Sequence, residues 1–368
     1  MPQIPIPYLF MRGGTSRGPF FRRSDLPEDQ SILADVLIAV TGSGHPLNID
    51  GIGGGASVTT KVAMLSEGSD RWADVDYFFA QVSVDDQTVD FKPTCGNMLS
   101  GVGPAAIEMG IVSADEGETT VKIHAVNVGA RVVAKFKTDG GSVVYEGGTA
   151  IDGVPGMAAP IELSFMDIVG SATGSLLPTG NLRDVVDGIE VTCMDVAMPM
   201  VIARAEDFGL TGYETPGELD ANRGFFDKME AIRIKAGAQM GMGDVSKSVT
   251  PKFGLFAPAR EGGTIAARYF IPWKAHLSMA VTGAQCLASC ALAPGTVSEG
   301  LLERPATSPA TVVIEHASGT IDVLVDYEVS ETGLMMNSAG LVRTARKLAD
   351  GRIYIPSSVW AGFSSVHR

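Results

Sequence analysis

The feature that most narrows what this chain can fold into is an internal repeat. Ser57-Val58-Thr59-Thr60-Lys61 resembles Ser248-Val249-Thr250-Pro251-Lys252, an offset of 191 (57 to 248). Thr120-Val121-Lys122-Ile123-His124 resembles Thr311-Val312-Val313-Ile314-Glu315, again 191 (120 to 311). Between them Val75-Asp76-Tyr77-Phe78 is echoed by Ala267-Arg268-Tyr269-Phe270, an offset of 192 (75 to 267). The small-residue stretch Asn97 to Met109 is answered by Leu277 to Leu292. Each echo is weak alone, but their shared order predicts two similar halves. Each half holds strands around one buried helix, an α+β class. The expected domains are residues 1–185 and 186–368. Their junction falls near Gly174 to Gly188, where Leu176-Leu177-Pro178-Thr179-Gly180-Asn181 reads as a turn. A length of 368 residues exceeds what one core usually serves, and 44 Gly with 20 Pro call for many turns.

The two halves differ in their chemistry-bearing residues. In the first, Thr94-Cys95-Gly96-Asn97-Met98 reads as a sharp turn entering a helix, with Asn97 able to cap its first turn. A cysteine ahead of a helix N-terminus meets free N–H groups and the positive end of the helix dipole. Cys95 is therefore either a packed core thiol or a functional one, and the flanking glycines favour function. Lys61 stands alone in an apolar or hydroxyl-bearing segment, Val58 to Met64, that reads as a strand. It is either an edge lysine pointing to solvent or a buried amine that must be paired or neutral. Arg12-Gly13-Gly14-Thr15-Ser16-Arg17-Gly18 is a Gly-rich turn able to offer N–H groups and guanidinium forks to a carboxylate. In the second half, His276, Leu277, Ser278 and Met279 occupy the matching turn, and no cysteine does. His276 is either a packed histidine or a ligand-facing one. If the halves are pseudo-symmetric, their two central helices can aim both N-termini into one anion-binding cleft.

Several function classes drop out. A net charge of −14 without a basic tract argues against nucleic acid. Cys95, Cys193, Cys286 and Cys290 have no CxxC spacing, so no metal site is expected. No dinucleotide or Walker loop has the required spacing, so no cofactor is expected. The uncharged run Leu277 to Pro294 carries Ser, Thr, Gln and Gly and reads as a buried helix rather than a membrane span. Met1 to Pro7 lacks the regions of a signal peptide, so the expected location is cytoplasmic.

The pieces Met11–Gly18, Asp50–Gly54 with Lys61, Cys95–Asn97, Leu177–Asn181, Gly188–Thr192 and Leu341–Arg346 together resemble the PrpF family of cofactor-independent isomerases. That family has the diaminopimelate epimerase-like fold, two pseudo-symmetric lobes each wrapping strands around a central helix. The resemblance implies a 1,3-allylic proton shift with Lys61 and Cys95 as the catalytic pair. In epimerases of this fold two cysteines act from opposite faces; the second is missing here, which speaks against stereoinversion. Asp76-Tyr77-Phe78-Phe79-Ala80-Gln81-Val82 is similar to members acting on 4-oxalomesaconate in aromatic breakdown. Aconitate and methylitaconate are the alternative substrates, and a tricarboxylate-binding protein without turnover is the non-enzyme alternative. The implied partner is a small di- or tricarboxylate, with a homodimer admitted and no nucleic acid or membrane.

On this reading Lys61, its pKa lowered by burial, is the base, and Cys95 a second acid/base or hydrogen-bond donor. Gly96, Asn97 and Met98 would offer N–H groups to one carboxylate. Thr15, Ser16 and Arg17 would hold another. Thr179, Gly180, His276 and Ser278 would line the far side. Lys252 mirrors Lys61 but is expected to be structural.

Overall fold

The computed structural model describes residues 3–330 and 333–363. The chain forms two compact units, one running to Leu163 and resuming at Val342, the other holding Ser164–Leu341.

In the first unit, Gln3–Gly13 and Ser16–Arg22 form an antiparallel pair. Helix Gln30–Thr41 then carries the chain to Lys61–Glu67, which lies parallel to Ser16–Arg22. Val75–Val82 returns antiparallel to Lys61–Glu67. A second helical run, Gly96–Leu99 and Val102–Glu108, leads to Gly117–Ala125, parallel to Val75–Val82. Ala130–Asp139 closes the series antiparallel.

Local chemistry explains the first helix. The Asp29 carboxylate accepts from the Ser31 and Ile32 N–H groups, and Gly42 ends the helix in the left-handed region. Leu33, Val36, Leu37 and Val40 recur at helical spacing and bury one stripe against Val62, Met64, Ala80 and Val82. Strand side chains alternate, so Lys61, Ala63 and Leu65 leave on the opposite face, beside Gln81, Phe79 and Tyr77. That face takes the second helical run. A Cβ at Gly101 would strike the Phe20 ring, and one at Gly103 the Phe136 ring.

The second unit follows the same order. Ile189–Asp195 pairs antiparallel with Pro199–Arg204. Helices Pro216–Ala221 and Arg223–Gln239 lead to Lys252–Ala257, parallel to Pro199–Arg204. Ile265–Ile271 returns antiparallel. Helix Val281–Leu292 leads to Ala310–His316, parallel to Ile265–Ile271. Gly319–Ser330 and Gly333–Arg343 extend the sheet. Every residue of this helix from Gly283 to Leu292 is buried, and it packs on five of the unit's strands. A helix buried on every side needs such a wrap, and its buried Gln285 is satisfied by the Ala339 carbonyl at 2.8 Å. Among the described residues, no helix is long and apolar enough to cross a membrane.

Four details differ from the sequence expectation. The units do not split at 185. Residues 171–173 belong with the second unit because the buried Asp195 carboxylate accepts from Ser171 Oγ, the Ala172 and Thr173 N–H groups and Thr173 Oγ1. The last strand, Ala345–Pro356, returns to the first unit and pairs along Gln3–Gly13, from Gln3 opposite Pro356 to Gly13 opposite Ala345. The strand expected from Val58 begins only at Lys61, because Ala56–Thr59 is a turn closed by Thr59 N–H to the Ala56 carbonyl. The Val75–Phe78 echo slips by two residues. Val75 pairs with Ile123 and Ile265 with Ile314, so Val75 corresponds to Ile265, an offset of 190, and Tyr269 stands where Phe79 does.

Candidate active site

Lys61 opens its strand directly opposite Gln81. It is half-buried, and its Nζ donates to Gln81 Oε1 at 2.5 Å. The same Nζ lies 5.3 Å from the centre of the Phe79 ring. The amine is thus neither an edge lysine in bulk water nor an isolated group in hydrocarbon. Its carbonyl abuts Gly18, where a Cβ would overlap the Lys61 oxygen, so only glycine lets the two strands approach there.

Further along the same face, the Phe79 and Tyr77 rings are 6.2 Å apart. The buried Tyr77 hydroxyl adjoins Thr94 and Cys95; burial pushes its pKa well above the ordinary tyrosine value, against the opposing pull of hydrogen bonds with the Cys95 backbone and the Thr94 side chain. One sheet face therefore leads from the Lys61 amine through Phe79 and Tyr77 to the Cys95 turn. Cys95 is half-buried, whereas Cys193, Cys286 and Cys290 are buried. It occupies the cap position of Gly96–Leu99 with extended backbone, and its side chain makes no capping bond.

Asn97 does not cap this helix as expected. Its Nδ2 donates to Thr15 Oγ1 at 3.0 Å, and its Oδ1 accepts from the Thr15 N–H at 3.4 Å. The Gly13-Gly14 turn presses onto this helix: a Cβ on Gly13 would come 2.5 Å from the Asn97 carbonyl oxygen. Gly14 has φ +51°, which favours glycine. Thr344 fastens the turn from behind, its carbonyl accepting from the Gly14 N–H at 2.9 Å and Arg12 Nη1 at 3.0 Å. The helix breaks at Ser100-Gly101, where Ser100 Oγ donates to the Asn97 carbonyl at 2.7 Å. Ser16 buries its hydroxyl in the first unit and Ser289 in the second unit's helix, while the buried Tyr77 hydroxyl faces the Thr94 side chain and the Cys95 backbone. Tyr77 and Thr94 adjoin Cys95, and Ser16 pairs with Gly13.

The structure thus brings Thr15, Ser16, Asn97 and Met98 together around one turn, and sets Lys61 on the sheet face that leads there. Arg17 diverges. It alternates away from Ser16 and Gly18, and its guanidinium lies 5.8 Å over the Phe10 ring. In the second unit, Thr179 Oγ1 donates to Asp184 Oδ2 at 2.6 Å, and Gly180, at φ +79°, closes the turn to the Leu177 carbonyl. His276 Nδ1 accepts from the Ser278 N–H at 3.0 Å, and the His276 ring lies 5.5 Å from that of Tyr269. Among the described residues no three His, Cys, Asp or Glu side chains gather as a metal centre requires. Gln81, Phe79 and Tyr77 were read from the sequence only as part of the stretch Asp76–Val82, not as site residues. Their signal was a period-two run in which a glutamine takes an otherwise aromatic face.

The family description "PrpF protein" matches residues 3–356. The 4-oxalomesaconate tautomerase of Pseudomonas putida is 45% identical over 362 residues, covering 98% of this chain and 99% of that protein. The (4E)-oxalomesaconate Delta-isomerase of Novosphingobium sp. is 46% identical over 349 residues, covering 95% and 97%. A crystal structure of methylitaconate-delta-isomerase matches with a TM-score of 0.89 at 34% identity, over 100% of both chains. With a match of this extent and relatives aligned nearly end to end, the chain belongs to the PrpF family and is an isomerase.

Proposed function

We propose that this isomerase moves a carbon–carbon double bond by a 1,3-allylic proton shift in an unsaturated oxo-tricarboxylate, 4-oxalomesaconate, during aromatic breakdown in the cytoplasm. The observation that carries the reading is the shared sheet face linking the Lys61 amine to the Cys95 turn. Lys61 takes the allylic proton. The C–H electron pair shifts the double bond, and charge collects on the conjugated carbonyl oxygen as a dienolate. A proton returned to the far carbon completes the shift without net oxidation or loss of atoms. Cys95, half-buried at the turn, supplies that proton or a hydrogen bond to the dienolate. The Gly96, Asn97 and Met98 N–H groups, with Thr15 and Ser16, hold a carboxylate. His276 and Ser278 remain the second unit's candidates for substrate binding, with Gly180; Thr179 already gives its hydroxyl to Asp184. Arg17 is retained as a long-range positive charge in an acidic chain.

The names of the two oxalomesaconate relatives support the substrate. The similarity to methylitaconate-delta-isomerase favours methylitaconate as the second reading. Purified protein offered each acid separately, with the ultraviolet band of the conjugated form followed, separates them. Turnover of 4-oxalomesaconate at least ten times faster, by kcat/KM, upholds the first reading; the opposite ranking replaces it.

A further inference from the structure

Gln81 has an asymmetric environment. Its Nε2 faces oxygens only: the Ser57 carbonyl at 3.1 Å, the Val82 carbonyl at 3.2 Å, Thr60 Oγ1 at 3.3 Å and the Thr60 carbonyl at 3.5 Å. An amide flip would turn Oε1 onto these acceptors and the NH2 group onto the Lys61 amine. The network therefore fixes the orientation, with Oε1 turned to Lys61 Nζ. The turn that supplies the Ser57 carbonyl immediately precedes Lys61, so the clamp and the amine it holds are built from adjacent backbone.

We propose that Gln81 is a positioning residue that directs the Lys61 amine toward substrate while leaving its charge state free to change. The proposal rests on Lys61 being the base. An amide oxygen accepts one N–H and brings no charge of its own. A carboxylate in that place would hold the amine as ammonium. The Phe79 ring limits the amine on a second side. The other ionisable groups around it do not pair with it. Asp90 lies opposite Gln81, but its carboxylate accepts from the Lys92 N–H at 2.9 Å. Arg17, on the neighbouring strand, stacks over Phe10. Tyr77 and Cys95 lie further along the face. Among the described residues Lys61 has no ion pair.

The experiment compares Gln81→Glu, Gln81→Met and Lys61→Ala on whichever of 4-oxalomesaconate and methylitaconate the parent enzyme turns over, across pH, with thermal melts alongside. Gln81→Glu keeps the shape and adds a charge. Its acid limb of kcat should move at least about one pH unit upward, with rate recovered at alkaline pH. Gln81→Met removes the acceptor. Its kcat should fall about 10- to 100-fold at every pH while KM changes by less than about threefold, because orientation rather than binding is lost. A purely structural glutamine would lower stability without moving the limb. Parent-like kcat and pH profiles in both Gln81 variants, beside an inactive Lys61→Ala, overturn the proposal. An active Lys61→Ala instead overturns the assignment of the base. If Gln81→Met fails to fold, the Gln81→Glu profile decides alone.

Discussion

The two units share one topology and diverge at the matching amine. In the first, Lys61 starts its strand opposite Gln81, and the half-buried Cys95 occupies the cap position of Gly96–Leu99 without a capping bond. In the second, Phe253 pairs with Phe270, so Ile271 comes opposite Lys252, and the cap of the matching helix is Ala280. Lys252 is buried; burial lowers its pKa, and Arg233 lowers it further. Arg233 itself is fully buried and held by both Glu230 oxygens and by the Pro251 and Val245 carbonyls. The helices differ too: two short pieces broken at Ser100-Gly101 in the first unit, twelve unbroken residues in the second. A duplicated scaffold keeps its strands and crossovers for packing reasons. Among the described residues, the first unit sets a lysine against an uncharged side-chain acceptor, Gln81, on the sheet face that leads to a thiol-bearing turn.

The largest expected effect comes from replacing each lysine in turn. Lys61→Ala should lower kcat by about 10²- to 10⁴-fold, the usual worth of a general base, with an unchanged melting temperature. Lys252→Met should keep kcat within about threefold and melt no lower than the parent, because it removes a buried charge at similar volume. The cost of that charge is greatest below the lowered pKa and fades as pH rises toward the ordinary lysine range. Steady-state kinetics and calorimetry on both variants check the contrast. Equal kinetic losses would mean that the two halves share the chemistry.

Much of this contrast was legible in the sequence, and the illegible parts have identifiable causes. That two similar halves each wrap strands around one buried helix followed from the echoes around Lys61 and Lys252. So did the two buried helices, because small apolar residues cannot line an exposed one. The register of Ile265–Ile271 was misread by two residues. Tyr77 and Tyr269 look equivalent as letters, whereas pairing with Ile123 and Ile314 sets the true offset. The return of Ala345–Pro356 to the first strand was not readable, since a strand names no partner in its own sequence. Asn97 read as a helix cap, but the Gly13-Gly14 turn brings Thr15 within reach of its amide. Gln81 was overlooked because its role exists only once Lys61 lies across from it.

The thiols offer the next test. Burial pushes Cys193 and Cys290 up to about 12, and Cys286 well above the ordinary thiol value. Their thiolates, the reactive forms, are scarce at neutral pH. Brief treatment with iodoacetamide should therefore modify Cys95 at least about tenfold faster than the other three, as read by peptide mass spectrometry. Turnover should fall in step with that single label, and Cys95→Ala should cost about 10²-fold in kcat. Rapid labelling of Cys286 or Cys290 in the folded enzyme would contradict the burial of the second unit's helix. Full activity after complete labelling of Cys95 would remove the thiol from the mechanism.

The smallest effect concerns stability, and it separates the units by pH. Glu315 lies at the start of the Gly319 turn in the second unit, where His124 occupies the corresponding place in the first. Burial alone would raise its pKa. The Arg260, Gly263 and Glu261 N–H groups and the Tyr213 hydroxyl outweigh that and bring it down to about 2. The three N–H bonds tie the Arg260–Gly263 loop to the strand. A depressed carboxyl stabilises the fold above its ordinary value of 4.5 and loses that contribution as pH falls toward 2. Glu315→Gln cannot accept from all of these donors as an anion does. It should cost about 2 kcal/mol at pH 7 and flatten the acid end of the stability curve. His124 faces Asp76 at 3.2 Å across its own strand pair and collects no such set of N–H groups. His124→Gln, whose amide can still donate to the buried Asp76, should therefore shift stability by no more than about 1 kcal/mol, the scale of one hydrogen bond. Denaturant melts of both variants between pH 3 and pH 7 decide the matter. An acid profile for Glu315→Gln that parallels the parent would show that the loop clamp carries no charge-dependent stability, and the chemical asymmetry of the units would then lie in their active groups alone.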